Sequence, residues 1–193
     1  MVLAKIETRQ SRKRNATHIS IMHNAKKLFE EKGLGKVTIE EITEAADISR
    51  STFFAHFDSV DALVAEIADI AVRDILDEYV KRGKNGREGI LALMDKLIED
   101  TCPYPYLTVE LFLNGIVKSR GKTPFSELES LICKELTNAG VNEARYSHKE
   151  QSALVMGAYF GTVFQKFIRR ESLWEAEEIK HIVKNLLNNI IGE

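Results

Sequence analysis

The chain has 193 residues, of which 44% are hydrophobic and 29% are charged. This composition is typical of a folded globular protein of one or two domains rather than a disordered chain. No apolar run is as long as a membrane span, and the first residues lack the apolar core of a signal peptide. Cys102 and Cys133 match no metal-binding or redox spacing. These features predict a cytoplasmic protein without a membrane segment, a metal or a cofactor.

The charges are distributed unevenly along the chain. Residues 1–60 carry ten Lys and Arg against eight Asp and Glu, whereas residues 61–193 carry seventeen against twenty-one. Half of those ten basic residues lie near the start of the chain: Lys5, Arg9, Arg12, Lys13 and Arg14. A basic arm over residues 1–15 could neutralise DNA phosphates; the alternative is a solvated, frayed terminus.

Helical periodicity dominates the rest of the sequence, and no alternating run bounded by turn residues indicates a strand. The first apolar stripe begins at Ile21, continues to Phe29 and ends at Gly33. The sequence therefore predicts an all-α protein.

Three short segments follow with clear start and stop signals. Thr38 and Glu41 have the spacing of a capping box, which predicts a short helix running to Ala46. A turn at residues 47–48 follows, and Ser49 is the expected N-cap of the next short helix. Two short helices joined by such a turn, after a first helix, form a helix-turn-helix.

The third of these helices has two chemically different sides. At 100° per residue, Phe53 and Phe57 share one face and can fill a small core, whereas Ser51 and Ala55 point the opposite way. Small outward residues let a helix approach base edges closely, and Arg50 has the reach for a bidentate contact to guanine. This face predicts DNA as a partner.

Further helices are predicted along the chain after this segment. One long helix carries apolar positions from Leu63 to Ile75 and ends within residues 81–86. Five others are expected over about 87–101, 107–118, 125–139, 147–170 and 174–191, separated by proline- or glycine-containing turns.

The stretch VTIEEITEAADISRSTFFAHFDSVDAL, preceded by AKKLFEEKGLGK, resembles the DNA-binding domain of TetR-type transcriptional regulators from about Ile21 to Leu63. The resemblance implies an N-terminal three-helix DNA-binding domain and a C-terminal helical domain for ligand binding and dimerisation. It divides the chain into the arm at 1–15, the helix-turn-helix domain at 16–60, a connecting helix at 61–86 and an effector-binding and dimerisation domain at 87–193. Carried over by position, it predicts the DNA-binding residues Thr38, Ser49, Arg50, Ser51, Thr52, Phe54 and His56.

Three positions depart from the family pattern. Asp47 replaces the usual turn glycine, and aspartate tolerates the left-handed conformation that this turn needs. Phe54 replaces a tyrosine and Val60 replaces a lysine, and both replaced residues are phosphate contacts in the family. These losses leave open an alternative function, a helical ligand-binding or protein-interaction module with a degenerate helix-turn-helix that does not bind DNA.

The last two predicted helices carry a candidate dimer interface. Ala153, Gly157 and Gly161 recur at every fourth residue, so one edge of that helix has almost no side chains, which suggests close approach by another helix. The last helix has a broad apolar face. A two-fold interface, with internal packing as the alternative, would use Ala153, Gly157, Gly161, Ile179, Ile182, Val183, Leu186 and Ile190.

Aromatic residues and methionines of the middle helices are candidates to line a ligand pocket, although such residues more often belong to a core. Together they favour an apolar or aromatic small-molecule effector. The candidates are Met94, Tyr106, Phe112, Met156, Phe160, Phe164 and Trp174.

The sequence does not predict an enzyme. Its histidines form no zinc-protease pair, and no glycine loop of the phosphate-binding type occurs. Cys133 lies in an apolar helical stretch, and Cys102, beside a proline, is expected to be the more accessible cysteine. The expected function is a ligand-responsive regulator, a repressor above all, that binds a palindromic operator as a homodimer and is released by a small-molecule effector.

Overall fold

The computed structural model describes residues 8–118, 124–173 and 175–191. Within those ranges all regular secondary structure is α-helix or 3₁₀ helix, which confirms the predicted all-α fold. The α-helices are α1 (Arg9–Lys32), α2 (Ile39–Ala45), α3 (Arg50–Phe54), α4 (Val60–Arg82), α5 (Gly86–Thr101), α6 (Pro105–Lys118), α7 (Pro124–Asn138), α8 (His148–Arg169) and α9 (Ala176–Ile191), with a 3₁₀ turn at Leu34–Lys36. No helix in these ranges is long and apolar enough to cross a membrane.

The chain divides into two compact units, Met1–Ile67 and Ala68–Glu193. The division lies inside α4, whose first residues belong to the N-terminal unit and whose remainder belongs to the C-terminal unit.

The first helix begins earlier than a frayed arm over residues 1–15 would allow. The Thr8 hydroxyl accepts a hydrogen bond from the Ser11 amide at 3.1 Å and caps α1. Arg9, Arg12 and the two basic residues after it therefore lie in the first turns of a helix. Lys5, also assigned to the arm, lies outside the described residues.

The core of the N-terminal unit is built from the apolar stripe of α1 and one or two residues from each following element. α1 packs on α2, and α2 packs on α3. The core residues, all at most 7% exposed, are Ile21, Met22, Ala25, Phe29, Val37, Ile42, Phe53, Phe57, Leu63 and Ile67.

Local signals set the geometry between α2 and α3. Thr38 and Glu41 form the predicted capping box at the start of α2. Asp47 has φ 52°, the left-handed conformation predicted for the turn, and the Ile48 amide then bonds the Thr43 carbonyl at 3.0 Å. Ser49 caps α3 by accepting from the Thr52 amide at 3.1 Å. The turn and caps therefore present α3 as the second helix of a helix-turn-helix.

In the C-terminal unit α5 packs on α7 and α9, and α8 packs on the same two helices.

One buried carboxylate of this unit forms hydrogen bonds with residues of three helices. Glu135 is fully buried on α7 and accepts hydrogen bonds from the Gly86 amide at 2.5 Å and the Asn138 side chain at 3.0 Å. Burial and the hydrogen bond to Glu135 raise the pKa of Tyr79, on α4, to about 12. The Gly86 amide at the start of α5 would otherwise lack a partner.

Candidate functional site

The two sides of α3 differ as predicted. Phe53 and Phe57 are 0% and 3% exposed, whereas Ser51 and Ala55 are exposed and Phe54 is 45% exposed. α3 itself ends at Phe54, so Phe57 follows the helix, and its amide bonds the Phe53 carbonyl at 2.9 Å. The outward side of α3 is thus a short, small-residue surface beside one exposed ring.

The hydroxyls at the start of α3 are hydrogen-bonded to one another. The Ser49 Oγ lies 2.8 Å from the Ser51 Oγ and 2.8 Å from the Thr52 Oγ1. These two contacts use two of the three hydroxyl protons, so each hydroxyl already has a partner in the free protein. A phosphate would exchange those bonds rather than fill an empty site.

Arg50 also has partners in the free protein. Its guanidinium forms an ion pair with Glu40 of α2 and lies over the Phe54 ring, 5.6 Å from the ring centroid. Both side chains of the ion pair are about two-thirds exposed, at 62% and 63%, so the pair is weak and easily exchanged. Arg50, the first residue of α3, is thus exposed at the surface of the N-terminal unit.

Thr38 is exposed and has its hydroxyl in the capping box, where Thr38 Oγ1 bonds the Glu41 carboxylate at 3.0 Å. A hydrogen bond from Lys32, followed by the bonds from Thr38, lowers the pKa of Glu41 to about 2. Thr38 is therefore a helix cap first, and a DNA contact would be a second role.

His56 belongs to a hydrogen-bonded chain that the sequence did not reveal. Its Nδ1 lies 3.3 Å from the Nδ1 of His18, on α1, and the His18 Nε2 lies 2.8 Å from Glu66 Oε1, on α4. Burial, then the charges of His18 and Arg14, lower the pKa of His56. His18 and Glu66 are 38 and 48 residues from their partners in the chain, so no local motif connects them.

The C-terminal unit contains an apolar cavity of about 110 Å³ between α4, α5, α6 and α7. Most of its wall is aliphatic. The described lining residues are Ala68, Ala71, Val72, Ile75, Leu97, Asp100, Thr101, Thr108, Leu111 and Leu128.

The polar groups of this wall already have partners. Thr101 donates to the Leu97 carbonyl at 2.7 Å, so the Tyr159 hydroxyl, 2.5 Å away, must donate to Thr101. Thr108 donates to the Tyr104 carbonyl at 2.8 Å. Asp100 accepts from Lys96 at 2.5 Å. The cavity therefore suits an apolar molecule, because few of its polar groups are left to bind a polar one.

The predicted ligand residues lie elsewhere in this unit. Met94 is 1% exposed in the core, and Met156 and Phe164 are half-buried against that core. The rings of Phe112 and Phe160 are 3.7 Å apart, and Tyr106 is 49% exposed at the surface. None of these six is among the described lining residues of the cavity.

Trp174, the remaining candidate, lies outside the described residues.

A second, wider cleft of about 500 Å³ lies between the α7–α8 connection and the end of α9. It is lined partly by backbone and polar side chains such as Asn142, Arg145 and Gln151, and it is a less suitable place for an apolar ligand.

The small-residue edge of α8 faces outward in the protomer. A Cβ added at Gly157 or Gly161 would meet no described atom within 4 Å, and Ala153 is exposed. Internal packing, the alternative interpretation of this edge, therefore has no support among the described residues. Among the described residues, no side chain covers the two glycines.

The apolar face of α9 is divided between the protomer and the surface. Ile179 and Val183 are each 1% exposed in the core of the C-terminal unit. Both residues pack within their own chain, so the prediction that they contact a partner subunit is wrong. Leu186 is 44% exposed, and Ile182 and Ile190 are half-buried, so these three can reach a partner.

The exposure of the two cysteines is the reverse of the prediction. Cys102 is 7% exposed, and burial raises the pKa of its thiol, whereas Cys133 is half-buried. Cys102, expected to be the more accessible, instead lies in the hydrophobic core of the C-terminal unit, where a buried thiol is inert. In the described part of the chain no three His, Cys, Asp or Glu residues are grouped to hold a metal ion.

The described chain thus joins a capped helix-turn-helix, which is a DNA-binding motif, to an all-helical unit with an apolar cavity. The profile of the family described as "Bacterial regulatory proteins, tetR family" matches residues 21–67, which span the helix-turn-helix and the start of α4.

Similar proteins include one sequence relative and solved structures that share the fold. An uncharacterized HTH-type transcriptional regulator, YvdT, from Bacillus subtilis is 33% identical over 81 residues, which cover 42% of this chain and 41% of that protein. The crystal structure of a transcriptional regulator from Aquifex aeolicus has a TM-score of 0.67 at 21% identity and covers 90% of this chain and 99% of that one. Thermus thermophilus FadR, a TetR-family repressor in complex with lauroyl-CoA, has a TM-score of 0.53 at 22% identity and covers 89% of this chain and 93% of that one.

Proposed function

We propose that this protein is a ligand-responsive transcriptional repressor of the cytoplasm that binds palindromic operator DNA as a homodimer. The proposal rests on the contrast between the two sides of α3. One side is buried through Phe53, and the other presents small residues, hydroxyls and Arg50. An internal protein contact would not need this combination on one exposed turn.

The exposed side of α3 supports two kinds of DNA contact. Arg50, at its first position, reads a base edge, since arginine matches the two acceptors of guanine in the major groove. The hydroxyls of Ser49, Ser51 and Thr52, with His56 and Thr38, suit phosphates, which position the helix without carrying sequence information. The exposed Phe54 ring can lie against sugar or a thymine methyl group.

The outward glycines of α8 support a homodimer. Two-fold symmetry places the same surface of two copies against each other. Ala153, Gly157 and Gly161 would let the second copy's helix approach closely, and Leu186 on α9 would add apolar area. Two recognition helices in one dimer match the two half-sites of a palindrome.

The cavity between α4, α5, α6 and α7 is the proposed effector site. Its aliphatic wall favours an apolar ligand, and the aromatic and methionine residues predicted from sequence are not needed to form it. An effector changes DNA affinity only if it binds the DNA-competent and DNA-released conformations with different affinities. Release by the effector would make the protein an inducible repressor.

A salt titration of binding to a random-sequence duplex tests the DNA-binding half of the proposal. Phosphate contacts release counterions, so affinity should fall steeply with salt. No binding at low salt would contradict the proposal and favour the alternative, an interaction module with a degenerate helix-turn-helix, for which Phe54 and Val60 are the specific signs.

A matched pair of variants makes this test specific to α3. Arg50 and Arg145 are both exposed arginines that lie over an aromatic ring, at 5.6 and 5.1 Å from the centroids of Phe54 and Tyr146. On the specific operator, selected from a random pool, Arg50→Ala should weaken DNA binding, whereas Arg145→Ala, which removes the same charge from the C-terminal unit, should leave it unchanged. Equal losses would mean that overall charge, not α3, binds the DNA.

Thermal unfolding in the presence of toluene tests the effector cavity with an apolar probe. Toluene should raise the unfolding temperature of the parent, because a ligand that binds only the folded state stabilises it. Ala71→Phe should abolish that rise by filling the cavity, whereas Ala65→Phe, at an exposed position of the same helix, should retain it. A rise that persists in Ala71→Phe would place the ligand elsewhere.

A further inference from the structure

The hydrogen-bonded chain Glu66–His18–His56 can be assigned proton by proton. An ionised carboxylate only accepts hydrogen bonds, so the His18 Nε2, 2.8 Å from Glu66, carries the proton. In neutral His18 the Nδ1 is then bare. That atom lies 3.3 Å from the Nδ1 of His56, so the His56 Nδ1 must be the protonated donor. Glu66 therefore sets the tautomer of both rings.

This arrangement decides what His56 offers to DNA. With its proton on Nδ1, neutral His56 has a bare Nε2, an acceptor that repels a phosphate oxygen. One added proton changes this, because His56 then carries N–H groups at both positions, one for His18 and one for a phosphate. The same result follows if the proton resides on His18, since the two Nδ1 atoms share it.

We infer that His18 and Glu66 are positioning residues that make the phosphate contact of His56 depend on the uptake of one proton in each protomer. The inference rests on the proposed DNA-binding function and deepens it, because it predicts that acid strengthens the contact. Neither His18 nor Glu66 needs to touch DNA for this effect.

The charged and titratable groups around His56 come from two other helices. α1 contributes His18 and Arg14, whose guanidinium bonds the Ala55 carbonyl at 3.4 Å, and α4 contributes Glu66 through His18. His18 also stacks on Phe57 with the ring centroids 4.5 Å apart, which holds it in place. The cation of Arg14 opposes a proton on His56.

The direction of the pH effect follows from linkage. Burial and the neighbouring charges lower the pKa of His56 from the ordinary 6.5 in the free protein, and a bound phosphate would raise it. The affinity contributed by the contact is then fully present below the free pKa and declines as the pH rises toward the pKa of the complex. Affinity should fall by up to about tenfold per pH unit for each protomer that makes the contact.

The test compares the parent with Glu66→Gln by measuring affinity for a fluorescent random-sequence duplex between about pH 6 and pH 8 at constant salt. A random sequence suffices because a phosphate contact is independent of sequence. Glutamine can donate to His18 Nε2, which frees His18 to carry its proton on Nδ1. His56 can then keep its proton on Nε2 at any pH. Glu66→Gln should therefore flatten the pH profile while keeping the affinity at pH 8 at least equal to that of the parent.

Two controls separate this effect from general acid dependence. His23→Gln removes an exposed histidine from the same helix and should retain the parent pH profile. Nitrogen-15 NMR of labelled histidines in the free protein should show His18 protonated at Nε2 and His56 at Nδ1, and the opposite tautomers would overturn the inference.

The outcomes distinguish this inference from the proposed function. DNA binding with the same pH profile in parent and Glu66→Gln overturns the inference alone and leaves the DNA-binding function intact. A loss of affinity at pH 8 in Glu66→Gln, without flattening, also overturns it, because Glu66 would then be only structural. No DNA binding by the parent at either pH overturns both.

Discussion

The two units would bind their proposed partners through different kinds of interaction, polar in the N-terminal unit and apolar in the C-terminal unit. On the N-terminal surface the polar groups are already paired with one another, as Ser49 is with Ser51 and Thr52. In the C-terminal cavity the wall is mostly aliphatic and offers little but burial. Because paired polar groups only exchange hydrogen bonds, the first surface gains mainly specificity, whereas the cavity gains affinity from the apolar area that it removes from water.

The largest expected effect comes from the cavity wall. Leu128 is 1% exposed, and Leu128→Ala should lower the free energy of unfolding by about 2–5 kcal/mol, because it enlarges an existing cavity. Leu113→Ala is the matched control, since Leu113 is 47% exposed, and it should cost less than about 0.5 kcal/mol. Urea denaturation measures both. Similar costs for the two leucines would mean that this wall is not packed as described.

The proposed dimer surface should give the next largest effect. Gly157→Leu should weaken dimerisation by about 1–3 kcal/mol per site, because overpacking separates surfaces that approach closely, and symmetry applies it twice. Sedimentation should show a folded monomer, or a dimer that dissociates at higher concentration. Gly157→Ala, the small control, should instead stabilise α8 by about 1 kcal/mol. A tight dimer in Gly157→Leu would place the interface elsewhere.

Arg50 tests whether the polar surface reads sequence. Arg50→Ala should cost about 1–3 kcal/mol on the specific operator, once that sequence is selected from a random pool, and much less on random DNA. At about pH 6, where protonated His56 can donate to a phosphate, His56→Ala should weaken both by a similar factor, since a phosphate contact carries no sequence information. Fluorescence anisotropy measures the four affinities. Equal losses on both DNAs in Arg50→Ala would make Arg50 a phosphate contact.

Val60 gives the smallest and most diagnostic effect. It is half-buried at the first position of α4, where the Ser59 hydroxyl accepts from the Ala62 amide at 3.1 Å. Val60→Lys should tighten binding to operator and random DNA alike and steepen the salt dependence by about 0.9 log units per added contact. An unchanged salt slope in a folded variant would mean that this end of α4 does not approach DNA. A clear loss of stability would show that the valine belongs to the core.

The features that could be predicted from sequence are those set by neighbouring residues. The capping box at Thr38, the left-handed Asp47 and the Ser49 cap all depend on residues within a few positions, and all three are present. The burial of Phe53 follows from helical periodicity in the same way. Local signals therefore sufficed for the N-terminal unit.

The cavity and the histidine pair could not be predicted, because distant segments form them. Leu97 and Leu128 meet at the cavity only after α5 and α7 pack. Apolar periodicity marks which face of a helix is buried, but it does not show where packing leaves a gap. The aromatic and methionine candidates were chosen by residue type, whereas the described wall of this cavity is mostly aliphatic. Their role in ligand binding stays a prediction.

Helix α4 has a consequence for any attempt to cut the protein into its two units. Leu63 and Ile67 belong to the N-terminal core, whereas Val72 and Ile75 of the same helix belong to the C-terminal core. A fragment that ends at Ile67 would leave the carbonyls of residues 64–67 without their helical partners, since each accepts from an amide four residues later. A fragment extended to Gly83, where φ is 60° and the helix has ended, would keep those bonds but expose Val72 and Ile75 to water. An isolated DNA-binding fragment therefore needs Val72 and Ile75 replaced by polar residues of good helix propensity, in a chain that continues to Gly83.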